Sequence, residues 1–200
     1  MRTAILLPVL LLMAGVRGLE AQTEYYARLG VVGANNLLRD AIVGEITVRQ
    51  SIAPFIALGG SLPIGARGFR VGLEATIASG KFHSSEGGSD TDLGTLRTGS
   101  LLLNLEGPLY RALSWRAGLG GLQYWPSDQT GIFGSGGTTR VLAGAGIDYR
   151  RPVLSKWDLM TSARYDFHRF KTEELERRGF SQTQGVSRVS LSIGLSRSIR

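Results

Sequence analysis

The segment from Trp157 to His168 constrains the fold most, because its alternate residues have opposite chemistry. Side chains of a β-strand point to alternate sides with a period of two. One side of this segment carries Trp157, Leu159, Ala163, Tyr165 and Phe167, with Thr161 as its polar member. The other side carries Asp158, Ser162, Arg164, Asp166 and His168, together with Met160. The segment therefore predicts a strand with one face in hydrocarbon and the other among charged groups.

Seven other segments show the same alternation, at residues 25–31, 46–58, 69–77, 100–106, 113–119, 140–149 and 188–195. Eight strands is an even number, which suits a closed antiparallel up-and-down barrel. In the second segment the pattern assigns Val48 to the same apolar side as Ile52. In the fifth, Gly120 and Gly121 predict a bulge that shifts the register, after which Leu122 and Tyr124 would face the apolar side.

The connections between these segments are of two kinds. Compact turns, each with a proline (Pro63, Pro108 and Pro152), follow the second, fourth and sixth strands. Longer polar stretches follow the third, fifth and seventh strands, at residues 81–92, 126–138 and 171–184. Short turns on one side and long loops on the other are typical of outer-membrane barrels, whose long loops face the cell exterior.

The first 21 residues have the pattern of a secretory signal. Arg2 precedes an apolar run from Ala4 to Val16, and Leu19-Glu20-Ala21 offers a cleavage site after Ala21. We therefore expect residues 1–21 to be a signal peptide and residues 22–200 to form one barrel domain. No later segment approaches the roughly 20 consecutive apolar residues of a membrane helix, so strands must make any membrane crossing. Cysteine is absent, which excludes disulfides and thiolate metal sites.

With this pattern, and with its closing segment Gly185 to Ser196, the mature chain resembles the small outer-membrane β-barrels of diderm bacteria, of the OmpA membrane-domain and OmpX type. The resemblance implies an all-β fold, a closed eight-stranded antiparallel transmembrane barrel. It also implies a place in the bacterial outer membrane, with the external loops at the cell surface. The expected partners are outer-membrane lipid, lipopolysaccharide and, during insertion, the barrel-assembly machinery, and the expected state is a monomer.

Charged residues collect on the side opposite the apolar one. The predicted lumen charge network consists of Arg28, Arg49, Arg70, Glu74, Glu106, Arg116, Arg140, Asp148, Asp158, Arg164, Asp166, His168 and Arg188. The interior of an eight-stranded barrel is only just wide enough for side chains, so we expect these groups to pair and fill it. Arg164 with Asp166, and Arg70 with Glu74, are predicted neighbours on inward rows. The alternative is a narrow channel lined by charge.

Aromatic residues cluster near the strand ends. The predicted girdles are Tyr25, Phe69, Trp115, Tyr149 and Trp157 at the short-turn side, and Tyr124, Trp125, Tyr165 and Phe167 at the long-loop side. Amphipathic rings favour the membrane interfaces. The plainer explanation is that aromatic residues are enriched in strands generally.

Catalytic and metal-binding patterns are weak. His168 lies in sequence reach of Ser162 and Asp166, a set that could hydrolyse lipid esters. However, the His-x-Ser motif of outer-membrane lipid A deacylases reads His168-Arg169-Phe170 here. The loop acids Glu86, Asp90 and Asp92 match no calcium-binding spacing. We therefore predict no catalytic residue, cofactor or metal site.

The formal net charge of +7 does not indicate nucleic-acid binding, because the arginines are spread singly along the strands. The leading hypothesis is a structural or surface-interaction barrel with a charge-plugged lumen. A narrow porin-like channel for ions or small solutes is second, and a hydrolase of outer-membrane lipid is third. A soluble barrel of lipocalin type is the fourth hypothesis, and it would turn the apolar sides inward around a ligand.

Overall fold

The computed structural model describes residues 23–35, 38–40, 46–65, 67–86, 89–128, 133, 136–171, 176 and 183–199. The predicted signal peptide lies outside these residues. The strands are β1 (Thr23–Ala34), β2 (Leu38–Asp40), β3 (Ile46–Gln50), β4 (Ala53–Ile64), β5 (Phe69–Glu86), β6 (Ser89–Tyr110), β7 (Leu113–Pro126), β8 (Thr139–Leu154), β9 (Trp157–Phe170) and β10 (Gln184–Ile199). Among the described residues, no helix is long and apolar enough to cross a membrane.

Eight of these strands close into a ring in which every neighbouring pair is antiparallel. Its order is β1, β4, β5, β6, β7, β8, β9, β10 and back to β1. The ring closes where β1 pairs with β10, from Thr23 opposite Ile199 to Ala34 opposite Arg188. A closed ring leaves no unpaired strand edge. The predicted eight-stranded up-and-down barrel is confirmed.

The two faces of the ring have the predicted opposite chemistry. Large apolar side chains such as Leu29, Ile56 and Leu103 are exposed on the outside. Arg164, Asp166 and His168 of β9 are buried inside, while Tyr165 and Phe167 of the same strand are exposed. The apolar side therefore faces outward, the reverse of the lipocalin arrangement.

The second predicted strand, 46–58, is broken into β3 and β4. Val48 is 2% exposed and Ile52 is 73% exposed, although both were assigned to the outward side. The reason is that Ser51 and Ile52, between the two strands, are both exposed, so the alternation shifts by one residue. β3 pairs with the outer part of β5, and β2 pairs with β3 beyond the ring. The assignment of Val48 was wrong.

One end of the barrel, which we call the short-turn end, has the connection between β4 and β5 and the turns at residues 111–112 and 155–156. Pro63, Pro108 and Pro152 lie in the strand ends just before these turns. At the opposite long-loop end, residues 81–92 were predicted to be a loop, but β5 and β6 continue there to the pair Glu86 and Ser89. These strands have 18 and 22 residues, whereas a membrane crossing needs about 9 to 11. Their outer parts therefore extend past the closed ring at the long-loop end.

The predicted bulge at Gly120 and Gly121 is absent from the β6–β7 pairing, whose register is continuous from Leu96 opposite Pro126 to Pro108 opposite Ser114. Leu122 and Tyr124 therefore keep the inward parity, and Tyr124 is only 1% exposed. Gly120 instead allows the close approach of β6, because a Cβ there would collide with the Leu101 carbonyl oxygen. Tyr124 is thus wrongly assigned to the outer girdle.

Candidate functional site

The candidate site is the barrel interior, where charged side chains form a compact group. We call it the ion cluster. It consists of five guanidinium groups and five carboxylates, those of Arg28, Arg70, Arg116, Arg150, Arg164, Glu24, Glu74, Glu106, Asp148 and Asp166. Its formal charge is therefore balanced. Since a buried charge is costly unless it is paired, this balance is what a narrow interior requires.

Glu74 lies at the centre of the ion cluster. Its carboxylate pairs with Arg28, with Arg116 at 2.6 Å and with Arg164 at 3.7 Å. The Tyr26 hydroxyl donates a hydrogen bond of 2.8 Å to Glu74 and accepts one of 2.8 Å from Arg116. The Tyr26 ring also lies 4.9 Å from the Arg116 guanidinium carbon, a cation–π distance. These contacts satisfy Glu74 from several sides.

Arg116, on β7, contacts carboxylates from three other strands. They are Glu74 of β5 at 2.6 Å, Glu106 of β6 at 3.1 Å and Asp148 of β8 at 2.8 Å. The planar guanidinium presents five N–H donors in a fixed geometry, which suits it to bridge several carboxylates. Arg116 therefore joins four strands through the lumen.

Towards the short-turn end, Glu24 pairs with Arg70 at 3.5 Å and with Arg150 at 3.2 Å. Arg150 also pairs with Glu106 at 2.8 Å. Glu24, Tyr26 and Arg150 are not among the residues of the predicted lumen charge network. The inward position of Glu24 and Tyr26 could have been predicted, since both share the parity of the inward Arg28.

Towards the long-loop end, the Arg164 Nε donates to Asp166 at 2.5 Å, as the inward row predicted. Glycines on β7 and β8 make room for this pair. A Cβ at Gly118 would lie 2.7 Å from the Arg164 Nη2, and one at Gly144 would collide with Asp166. Small residues beside large charged ones let the narrow interior close without overlap.

The remaining residues of the predicted network lie outside the ion cluster. Arg188 is buried and donates to the Thr98 hydroxyl at 3.3 Å, while Arg140 and Asp158 are half-buried. His168 is buried, and its Nε2 lies 2.6 Å from the Tyr124 hydroxyl. For Arg49 the structure describes the strand position, opposite His83, but not the side chain.

The lumen at the long-loop end is apolar. This apolar cluster consists of Val48, Phe82, Leu96, Leu102, Leu122, Tyr124, Phe133, Leu142, Phe170 and Val186. Phe133 comes from the connection between β7 and β8, which was predicted to be a polar external loop. Its ring centroid lies 5.6 Å from that of Phe82 and 5.8 Å from that of Phe170. The connection therefore places one aromatic side chain inside the barrel mouth.

A cavity of about 30 Å³ separates the ion cluster from the apolar cluster, with Glu74, Leu102, Leu142 and Arg188 among its lining residues. It has room for about two water molecules. Among the described residues, no three His, Asp or Glu side chains are arranged to hold a metal ion.

The other predicted girdle aromatics lie on the outside or at the rim. Tyr25, Trp125, Tyr149, Trp157, Tyr165 and Phe167 are exposed. Phe69 and Trp115 are half-buried against each other, with ring centroids 6.2 Å apart.

No protein-family model matches the chain, and no curated protein matches its sequence. Solved structures do resemble it. The outer membrane protein OprG from Pseudomonas aeruginosa is 13% identical with a TM-score of 0.51, over 90% of this chain and 97% of that one. Ail, the attachment invasion locus protein of Yersinia pestis, is 13% identical with a TM-score of 0.50, over 89% and 99%.

A major outer membrane protein from Thermus thermophilus is 11% identical with a TM-score of 0.50, over 90% of this chain and 100% of that one. At such low identity these likenesses concern the fold alone. They agree with the closed ring of eight antiparallel strands. The chain has the fold of the small eight-stranded outer-membrane β-barrels.

Proposed function

We propose that this chain is an integral protein of the bacterial outer membrane, a monomeric barrel with a closed lumen and a structural or surface-interaction role. The observation that carries the proposal is the distribution of chemistry across the barrel wall. Leu29, Ile56, Leu103 and Ile193 are exposed outside, while eight of the ten charged side chains of the ion cluster are buried inside. In water this arrangement is unfavourable, whereas in a bilayer the lipid tails solvate the outer face and the ring satisfies the backbone.

The filled interior supports a structural role over transport. The ion cluster cross-links strands on different sides of the ring, for example β9 and β5 through Arg164 and Glu74. The apolar cluster fills the long-loop end. A water-filled pore normally needs about twice as many strands as this barrel has. In the proposed orientation the short turns lie in the periplasm and the long-loop end contacts lipopolysaccharide and the exterior. Insertion would depend on the barrel-assembly machinery.

The arrangement of His168 gives no support to a hydrolase. Its Nε2 contacts the Tyr124 hydroxyl, and Asp166, the nearest candidate carboxylate in sequence, is bonded to Arg164. A Ser–His–carboxylate triad would need His168 to bridge a serine and an acid.

Two measurements test the proposal. Expressed protein should fractionate with outer membranes and migrate differently on gels before and after heating. Recovery in the soluble periplasmic fraction would contradict membrane insertion. Purified, refolded protein in a planar bilayer should give no stable conductance, whereas a folded variant carrying both Arg116→Ala and Arg164→Ala should begin to leak. Steady, ion-selective currents from the unchanged protein would favour the channel instead.

A further inference from the structure

The described charged side chains that are exposed at the short-turn end are all cationic. They are Arg67, Arg111, Arg151, Lys156 and Arg197. The acids at this end, Glu24, Glu106 and Asp158, share the inward parity of their strands, and the first two are bound in the ion cluster. Within the part of the chain that the structure describes, the surface at this end therefore presents positive charge without exposed carboxylates to neutralise it.

Arg67, Arg111 and Lys156 lie in turns, whereas Arg151 and Arg197 lie within strands. Of these two strand residues, Arg197 lines the apolar groove described below. It pairs with Tyr25 of β1 in the strand register. Its guanidinium carbon lies 5.5 Å from the centre of the Trp157 ring on β9. Both aromatic side chains are exposed. A guanidinium among interfacial rings is positioned at the depth of lipid headgroups.

An apolar groove on the outer wall leads to this arginine. Its volume is about 720 Å³, and Leu29, Ile56, Leu159 and Ile193 are among its lining residues. Trp157, Arg197 and Ile199 line the groove and also a second, more polar depression of about 590 Å³, which contains Lys156 and Ser198. A hydrocarbon surface thus ends beside two cationic groups.

We propose that this groove binds one phospholipid with a net negative headgroup, its acyl chain along Leu29 and Ile193 and its phosphate at Arg197. Lys156 lies on the headgroup side and adds a second positive charge. This inference rests on the proposed function, because the groove faces lipid only if the barrel lies in a bilayer. Arginine binds phosphate through paired N–H donors, and each cation near an anionic lipid contributes about 1 kcal/mol.

A zwitterionic headgroup fits this site less well. Its ammonium group would have to lie beside Arg197 and Lys156, and the described acid in the adjoining depression, Asp158, is half-buried with inward parity. The charge pattern therefore selects a lipid such as phosphatidylglycerol over phosphatidylcholine.

Trp157 provides a fluorescent probe inside the proposed site. A variant with Trp115→Phe and Trp125→Phe retains Trp157 alone, and it would be reconstituted in vesicles that mix phosphatidylglycerol and phosphatidylcholine. Bromine on the chains of one lipid or the other quenches a nearby tryptophan. We expect the quenching to indicate a preference for phosphatidylglycerol of about five- to thirtyfold, the effect of one to two cations at a membrane surface. Arg197→Gln together with Lys156→Gln should bring this preference close to one.

Arg111→Gln is the matched control. Arg111 is exposed at the same end, and its guanidinium carbon lies 5.0 Å from the Tyr110 ring. It lies in the turn after β6, however, and β6 is opposite β10 in the ring. This change should leave the preference at Trp157 intact. Equal quenching by both lipids, or a preference that survives the double substitution, would overturn the inference.

Two further outcomes separate this inference from the proposed function. If Trp157 is not quenched while a variant retaining only Trp115 is quenched, another protein surface, such as a second barrel, covers the groove, and the lipid site is wrong. If neither tryptophan is quenched by any brominated lipid, the barrel wall is not in contact with acyl chains, and the proposed membrane location itself is wrong.

Discussion

Arg116 and Glu74 form an ion pair of 2.6 Å across the barrel interior, although β6 separates their strands in the ring. Neighbouring strands in a sheet are about 4.8 Å apart, and their side chains on one face normally contact the adjacent strand. A contact that passes over a whole strand requires the sheet to curl until its inward side chains meet. The pair is therefore specific to the closed barrel.

Removing one member of this pair should be costly. We expect Arg116→Met to lower the free energy of unfolding by about 3 to 5 kcal/mol, because Glu74, Glu106 and Asp148 would lose a buried partner. Denaturant titration of the refolded protein in detergent micelles measures this. The exposed Arg169→Met is the control and should cost less than about 1 kcal/mol.

The Glu74→Gln and Arg116→Met changes together test the coupling. The double variant should lose less free energy of unfolding than the sum of the losses in the two single variants. The reason is that each single change leaves the other member of the pair as an unpaired buried charge, and the double change removes both charges. Strict additivity would mean that the two groups do not depend on each other, whatever their separation.

The outward apolar face should tolerate charge only near the membrane surface. Leu103 and Leu109 of β6 are 57% and 59% exposed, but Leu109 is close to the short turn and Leu103 is near mid-strand. Leu103→Arg should cost about 2 to 4 kcal/mol, and Leu109→Arg about 1 kcal/mol or less. Folding titrations into vesicles compare the two. Equal costs would contradict the position of β6 in the bilayer.

Alternation predicted which face a residue occupies wherever a strand was continuous. It placed Arg164, Asp166 and His168 of β9 inside and Tyr165 and Phe167 outside, as observed. The prediction was wrong where strand pairing is interrupted, because side-chain alternation does not show where the backbone pairing breaks. The break at Ser51 and Ile52 reversed the face of Val48.

At Gly120 and Gly121 the opposite error occurred, because a break was predicted where the strand is continuous. Because β6 and β7 stay in register past Gly120 and Gly121, Tyr124 keeps an inward position that an assumed bulge had reversed. Likewise, the polar composition of residues 81–92 suggested a loop, yet strand pairing continues there beyond the ring. A polar composition indicates contact with water, but it does not distinguish a loop from a pair of strands that extends past the ring.

The partners inside the lumen were harder to predict than the faces. Arg70 was expected beside Glu74, four residues along the same strand, which is a rise of about 13 Å. Arg70 instead pairs with Glu24 of β1, which lies at its own depth near the short turns. Pairing depends on depth and on the curvature of the ring, and neither follows from the sequence of a single strand.

Adjacent glycines on β7 should respond differently to the same substitution. A Cβ at Gly120 would collide with the backbone of Leu101, whereas one at Gly121 would meet no atom within 4 Å. We expect Gly120→Ala to destabilise the barrel by about 1 to 3 kcal/mol through overpacking. Gly121→Ala should be neutral or slightly stabilising, since it restricts the unfolded chain. The heat-induced mobility shift of each variant as a function of temperature would detect this difference, and similar midpoints would argue against the close approach of β6 and β7 at Gly120.

Phe133 should hold the connection between β7 and β8 in the barrel mouth. Its ring is buried against Phe82, Tyr124 and Phe170, and a buried Phe→Ala change typically costs about 3 kcal/mol or more. Because Phe133 lies outside the strands of the ring, this loss should appear as local opening rather than as unfolding of the barrel.

Limited digestion with a nonspecific protease measures that opening. Phe133→Ala should be cleaved between Pro126 and Thr139 at a protease concentration that leaves the unchanged protein intact, while its heat-modifiable migration persists. Phe167→Ala, on the exposed outer face, should remain as resistant as the unchanged protein. Equal resistance of the Phe133 variant would show that other contacts hold the connection. Since the ion cluster still fills the lumen below, the Phe133 variant should also remain non-conducting in a planar bilayer, and a leak from this change alone would place the main barrier in the apolar cluster.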